Sequence, residues 1–240
     1  MLVARRRPIE WQDLGTVMAD IAKLRRVMVE SQVQTSDVTD KRLLRAMFEC
    51  PREAFAPGVD PSIAYLDGEV ELVRGRPGEA GRVLLQPMVI GKLLQLAGIA
   101  ATDKVLVVGC ASGYIAALCA ALARSVVALE VDGRLLAAAT SVFSRLGLAN
   151  IKGVEGPLPE GFKAEAPYDV VVVAGRVPAV PEALAGQLAE HGRMVSVVGA
   201  PELSRATISE KHGQSLSSRA VFEAQASLLP GFTRKAEFSL

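Results

Sequence analysis

The sequence predicts an α/β protein with a doubly wound, mostly parallel seven-stranded sheet, helices before it and an antiparallel hairpin at its end. Three patterns favour this fold class. The apolar runs 105–108 and 125–129 are typical of buried parallel strands, and an Ala-rich segment at helical spacing, opened by Gly113, lies between them. Residues 203–210 and 216–223 alternate apolar and polar side chains, which predicts two antiparallel strands.

The N-terminal part of the chain predicts helices and loops. Residues 1–15 lack a clear period and are expected to form a flexible arm. From Thr16 to Val33 apolar residues recur at helical spacing, and a second helix is predicted from the N-cap Thr39 up to Pro51. Because Pro and Gly then recur up to residue 80, we expect an N-terminal helical segment, 16–80, on the substrate side of a main domain, 81–240.

The main domain alternates strands and helices. Gln86-Pro87 begins a helix, Gly147 ends another, and the apolar run starting at Tyr168 predicts a central strand. Besides the segments already given, the predicted elements are helices 88–97, 133–146 and 181–189 and strands 151–154, 168–173 and 194–198. This alternation is the pattern of a doubly wound fold.

Composition gives no support to several classes of function. The 240 residues contain 27 Lys and Arg against 26 Asp and Glu, and without a basic excess no obligatory nucleic-acid partner is expected. Cys50, Cys110 and Cys119 match no metal-ligand spacing, so we expect no metal and reduced thiols, as in a cytoplasmic protein. No leader or long uncharged apolar stretch is evident, and membrane association is therefore not expected.

The turn after the first central strand is the candidate ligand site. Gly109, Ala111, Ser112 and Gly113 are small, which lets backbone N–H groups and a helix N-terminus approach a ligand. About twenty residues later Glu130 ends the next strand, where an acid can accept hydrogen bonds from a ribose. Since a dinucleotide fingerprint would require a further glycine after Gly113, the spacing fits S-adenosylmethionine better than a dinucleotide.

Motifs along most of the chain resemble those of the protein-L-isoaspartate O-methyltransferases, a family of class I S-adenosylmethionine-dependent methyltransferases. The specific part is N-terminal, and the cofactor blocks follow in the family's order. The matching residues are Met28-Val29-Glu30-Ser31-Gln32, Val38-Thr39-Asp40, Met47, 51–57, Ala64-Tyr65, Gln86-Pro87, 109–114, Glu130, Glu155-Gly156, 166–169, 180–184, Gln187-Leu188 and 192–195.

The resemblance implies S-adenosylmethionine as cofactor, S-adenosylhomocysteine as product, and an isoaspartyl protein or peptide as the repaired substrate. It implies a monomer or homodimer and places the substrate motif at Arg82, Val83 and Leu85. The implied cofactor-binding residues are Val108, Gly109, Cys110, Ala111, Ser112, Gly113, Tyr114, Glu130, Val131, Glu155 and Gly156.

The chain departs from the family's pattern at two places. Val107 stands where the family has an acid that helps hold the cofactor, and Ala111 replaces the middle glycine of the loop. Val83 and Leu85 replace the Thr and Ser of a Gly-Gln-Thr-Ile-Ser run that binds the substrate carboxylate. These changes predict weaker positioning of both ligands, although Arg82 offers a guanidinium fork that suits a carboxylate.

Two alternatives to an active methyltransferase stay open at this point. The departures also fit a catalytically weakened or silent homologue that acts as a binding or regulatory module. An NAD-dependent oxidoreductase would share the strand-turn-helix unit, but Tyr114 occupies the place of its third glycine.

Overall fold

The computed structural model describes residues 11–75 and 80–232, with only the backbone of 11–19. Its main sheet has seven strands in the order β5-β4-β3-β6-β7-β8-β9, and β1 and β2 form a separate antiparallel pair. The strands are β1 Val70–Val73, β2 Arg82–Leu84, β3 Lys104–Val108, β4 Ser125–Glu130, β5 Ile151–Glu155, β6 Tyr168–Val177, β7 Leu188–Val198, β8 Arg205–His212 and β9 Ser215–Glu223. The five strands β3 to β7 are parallel, and β8 and β9 are antiparallel, which confirms the predicted fold class.

The central strand β3 is apolar on both faces because both faces are covered. Val105 and Val107 lie in one apolar cluster, whereas Leu106 and Val108 lie in a second cluster on the other side of the sheet. All four side chains are fully buried. Met28 belongs to the same cluster as Val105, so the N-terminal helices and the sheet share a core, and the division of the chain at residue 80 stays a prediction.

Six α-helices lie in the described part of the chain, and the last four pack on strands of the main sheet. The six helices are α1 Trp11–Met28, α2 Lys41–Glu49, α3 Pro87–Ala97, α4 Tyr114–Leu122, α5 Gly133–Arg145 and α6 Glu182–Ala185. None of the helices in the described ranges is long and apolar enough to cross a membrane.

The N-terminal helices differ from the prediction at their ends. The backbone of α1 is already helical at Trp11, so only residues 1–10 of the predicted arm remain, and these lie outside the described residues. The N-cap of α2 is Asp40 rather than Thr39, because the Asp40 carboxylate accepts the N–H groups of Arg42 and Leu43, at 2.8 and 3.4 Å. A carboxylate in this position satisfies free donors of the first turn.

Two further predictions of secondary structure were wrong. Residues 52–80 were expected to be rich in loops, yet β1 lies there and pairs with β2, with Val70 opposite Leu84. The helix expected over 181–189 ends at Ala185, because Leu188 pairs with Tyr168 and starts β7. In both places strand pairing between distant segments overrides the local pattern.

After β9 the chain returns across the carboxyl end of β6. The N–H of Arg176 donates to the Ser227 carbonyl at 2.9 Å, and the N–H of Leu229 donates to the Arg176 carbonyl at 3.0 Å. The Arg176 guanidinium adds a bond to the Gly199 carbonyl at 3.0 Å. The segment 224–232 is thereby held at the carboxyl ends of the parallel strands, where the ligand site was predicted.

Candidate active site

The turn between β3 and α4 has the backbone that its small residues predict. Gly109, Ala111 and Gly113 have positive φ angles of 76°, 51° and 100°. A Cβ atom on Gly113 would lie 2.6 Å from the ring of Phe143, so this position requires glycine for space as well as for conformation. The N–H of Gly109 donates to the Leu129 carbonyl at 2.9 Å, which ties the turn to β4.

Ser112 of the turn and Tyr114, the first residue of α4, face the protein interior. The Ser112 hydroxyl donates to the Phe55 carbonyl, and Tyr114 packs against Phe55 with the ring centroids 5.7 Å apart. The Arg52 guanidinium lies over the Tyr114 ring at 5.0 Å. These contacts attach the turn to the N-terminal segment.

Cys110 lies in the turn as a buried thiol. Burial raises the pKa of this thiol well above its usual range, and the Glu130 carboxylate raises it further. Because the thiolate is the nucleophilic form, Cys110 fills space in the turn and does not attack a substrate.

Glu130 is fully buried at the carboxyl end of β4. Its Oε2 accepts the Ala111 N–H at 2.6 Å, and its Oε1 accepts the N–H groups of Val131 and Asp132 at 3.0 and 3.2 Å. The carboxylate thus lies directly beside the turn, as the spacing predicts. Its role as ribose acceptor stays a prediction.

The remaining partner of Glu130 is Arg82, which lies on β2 and is 5% exposed. Its Nε donates to Oε1 at 3.0 Å and its Nη2 to Oε2 at 2.7 Å, a bidentate pair. The same Nη2 also donates to the Gly109 carbonyl at 2.9 Å. Arg82 was predicted from the sequence to be part of the substrate motif, and the structure places its side chain in the predicted cofactor site.

Leu229 closes the other side of the turn. A Cβ atom on Gly109 or on Gly175 would lie 2.7 Å from Leu229 Cδ2, so the leucine side chain packs directly on both glycines. Leu229 is 1% exposed. Sequence reasoning missed this residue, because it follows the predicted hairpin and belongs to no recognisable motif.

A cleft of about 660 Å³ opens next to the Arg82–Glu130 pair. Val131 and the first turn of α5 form one wall, and β1 and Pro230 contribute to the others. Glu155 borders the same helix start, since a Cβ atom on Gly133 would lie 2.5 Å from its carboxylate. Val131 and Glu155, both predicted to bind the cofactor, therefore lie on the outer side of the buried pair.

The residues that depart from the family's pattern pack against other parts of the protein. Val83 is half-buried in β2 opposite Glu71, and Leu85 is 5% exposed in the main apolar cluster. The Leu85 carbonyl accepts a bond of 2.7 Å from the buried Arg52. Val107 is fully buried between β4 and β6, opposite Ala128 and Val172. An acid at this position would enter the core of this protein.

The fold and the site together define a Rossmann-like methyltransferase. The parallel strand β3 leads to a tight turn, and the neighbouring strand β4 ends in Glu130 beside that turn. The antiparallel hairpin of β8 and β9 forms one edge of the sheet. A solved protein-L-isoaspartate O-methyltransferase superimposes with a TM-score of 0.74 at 26% identity, covering 88% of this chain and 66% of that one. A protein of Plasmodium falciparum, solved in complex with S-adenosyl-L-homocysteine, has a TM-score of 0.69 at 17% identity over 84% and 96% of the two chains and shares the fold.

Sequence comparison identifies the family. The family model of protein-L-isoaspartate(D-aspartate) O-methyltransferase matches residues 23–225. The protein-L-isoaspartate O-methyltransferase of Koribacter versatilis is 41% identical over 73% of this chain and 77% of its own length. That of Geobacter metallireducens is 37% identical over 75% and 80%. The chain belongs to the protein-L-isoaspartate O-methyltransferase family, whose members use S-adenosylmethionine, and the silent binding module is not favoured.

The cofactor fits the backbone of this site but competes with the Arg82 side chain for Glu130. The start of α4 has N–H groups without an intrahelical acceptor, and the turn before it consists of small residues, as the cofactor requires. The Glu130 carboxylate has about four acceptor positions, and donors from the described residues fill them. A ribose hydroxyl can bond to Glu130 only after Arg82 has left it.

Proposed function

We propose that this chain is an S-adenosylmethionine-dependent methyltransferase that methylates the carboxylate of isoaspartyl residues in proteins or peptides and so serves their repair. The observation that carries the proposal is the hydrogen bond from the Ala111 N–H to the Glu130 carboxylate, which places an acid beside the turn at the carboxyl end of β4. The family model matches the chain over residues 23–225.

The cofactor would be held by the turn, by Glu130 and by Val131. Backbone groups of 109–113 would face its methionine end, Glu130 would accept from its ribose, and the 41% exposed Val131 would offer an apolar contact to its base. When bound, S-adenosylmethionine supplies a methyl group on a positively charged sulfur. The chain's own residues contribute binding and orientation.

The acceptor requires alignment more than acid–base chemistry. A carboxylate is already nucleophilic at neutral pH, so its transfer rate depends on position and on the removal of water. Val83 and Leu85 provide no hydroxyl groups for this positioning. Two neutral hydrogen bonds of roughly 0.5 to 1.5 kcal/mol each are missing, so we expect kcat/KM about 5- to 150-fold below that of a family member with both hydroxyls.

Methyl transfer from labelled S-adenosylmethionine to an isoaspartyl peptide tests the proposal. The matched control is the same peptide with an ordinary aspartyl residue, which should accept no label. The double variant Val83→Thr/Leu85→Ser should raise transfer to the isoaspartyl peptide. Equal labelling of both peptides, or none by either protein at saturating cofactor, would reject the proposed reaction.

We also propose the partners and the location of the protein. The near balance of 27 basic and 26 acidic residues supports an enzyme with no obligatory nucleic-acid partner. The three free thiols, Cys50, Cys110 and Cys119, support a cytoplasmic location. A monomer or homodimer and a substrate-side role of segment 16–80 complete the proposal.

A further inference from the structure

We propose that Arg82 is a latch on the cofactor site: the bidentate Arg82–Glu130 pair must open before the cofactor binds, and this opening sets the cofactor affinity. The inference rests on the proposed function, because it names the residue that controls access to the same site. The latch consists of Arg82, Glu130 and the Gly109 carbonyl, joined by the 2.7, 3.0 and 2.9 Å bonds of the guanidinium.

Arg82 competes for the groups that a cofactor would use. It occupies both oxygens of Glu130, the predicted ribose acceptor, and it also covers the carbonyl at the start of the turn. The remaining acceptor positions of Glu130 are held by the backbone N–H groups of Ala111, Val131 and Asp132, which are part of the fold. Arg82 is therefore the partner that can be exchanged.

The position of Arg82 allows such an exchange. It lies on the three-residue strand β2, which pairs only with the four-residue strand β1 among the described residues, and not with the main sheet. The side chain also lines the 660 Å³ cleft beside the pair, so the guanidinium has space to enter when it leaves Glu130. Glu130, by contrast, is fixed at the end of a central strand.

A latch differs from a purely structural ion pair in its effect on the ligand. If the pair only stabilises the fold, removing the guanidinium leaves cofactor affinity unchanged or lowers it. If the pair is a latch, the cofactor in the variant no longer has to displace charge-assisted hydrogen bonds, and affinity rises by about tenfold or more.

Calorimetric titration with S-adenosylhomocysteine separates these cases. The variant Arg82→Gln should bind at least about tenfold more tightly than the unmodified protein. The matched control is Arg45→Gln, which also removes one arginine from an ion pair, the exposed 2.8 Å pair with Glu49 on α2, and should leave the affinity unchanged. Should Arg82→Gln fail to fold, Arg82→Lys keeps the charge without the fork and should still bind more tightly.

Unchanged or weaker binding by the folded Arg82 variants overturns the latch, and so does an absence of binding by every variant at millimolar ligand. The proposed function has its own readout. If the Arg82 variants bind more tightly but saturated protein transfers no methyl group to the isoaspartyl peptide, the latch stands and the proposed reaction fails. If methyl transfer occurs and the affinities are equal, the reaction stands and the latch fails.

Discussion

Removing the buried carboxylate of Glu130 should destabilise the fold strongly. In Glu130→Ala the Arg82 guanidinium, only 6% exposed in its side chain, loses both carboxylate oxygens and keeps the Gly109 carbonyl. Three backbone N–H groups lose their acceptor at the same time. Because breaking a buried ion pair leaves an uncompensated charge, we expect the free energy of unfolding to fall by about 3 to 5 kcal/mol.

A double-mutant cycle isolates the pair from these other losses. Arg82→Met removes the charge and keeps an apolar stem of similar length, so the double variant Arg82→Met/Glu130→Ala no longer buries an unpaired cation. Its loss should be smaller than the sum of the two single losses by about 1 to 3 kcal/mol. Urea unfolding followed by circular dichroism measures all four proteins.

The surface pair Arg45–Glu49 is the control for this cycle. Its side chains are 78% and 64% exposed, so solvent screens the two charges and the coupling energy of this pair should be close to zero. A coupling energy for Arg82 and Glu130 as small as this control would refute the argument that the buried pair holds the site together. So would a Glu130→Ala protein that unfolds within about 1 kcal/mol of the unmodified one.

Three further predictions follow from burial. Val107→Asp places a charge without a partner in the core, and urea unfolding should show a loss of at least about 3 kcal/mol in the free energy of unfolding. Unchanged stability together with tighter cofactor binding would instead show that an acid at this position holds the cofactor, as the resemblance implies. Ser112→Ala leaves the Phe55 carbonyl without its hydroxyl donor, and should cost about 1 to 3 kcal/mol in the same assay, a result that equal midpoints would contradict. Burial raises the pKa of the Cys50 thiol to about 12, so the unfolded chain loses this proton first as the pH rises above about 8.5, and stability should fall there. Cys50→Ala should flatten that decline by up to about 1.4 kcal/mol per pH unit, and an identical decline in both proteins would show that the thiol does not contribute.

The part of the site that could be predicted is the unit from β3 to Glu130, because local sequence determines it. The apolar run of β3, the small residues of the turn and Glu130 lie within one strand-turn-helix-strand unit, and their spacing alone brings the carboxylate to the turn. Arg82 is separated from Glu130 by 48 positions, and its strand has three residues, too few to show a period. Its contact depends on how β1 and β2 pack, which the local pattern does not contain.

The same limit explains Leu229. The hairpin before it could be predicted from alternation, but the segment after the hairpin has no period, and its position follows from hydrogen bonds to Arg176 on a distant strand. Long-range pairing of this kind determines which side chains enter a site whose backbone is already fixed. For this reason the backbone of the site and Glu130 could be predicted from the sequence, whereas the positions of Arg82 and Leu229 could not.

Arg82 of the latch and Val83 of the predicted substrate motif are neighbours in β2, so the binding of the cofactor and the binding of the peptide can be coupled. In β2 the side chain of Arg82 is buried and that of Val83, the next residue, is half-buried opposite Glu71 of β1. A shift of β2 that frees Glu130 would therefore also move Val83, which the resemblance to the family assigns to the substrate motif. Binding free energies coupled in this way are reciprocal, so a cofactor that opens the latch must change peptide affinity by the same factor as the peptide changes cofactor affinity. Titration of each ligand in the presence and absence of the other measures that factor, and a factor of one would show that Arg82 moves without its strand.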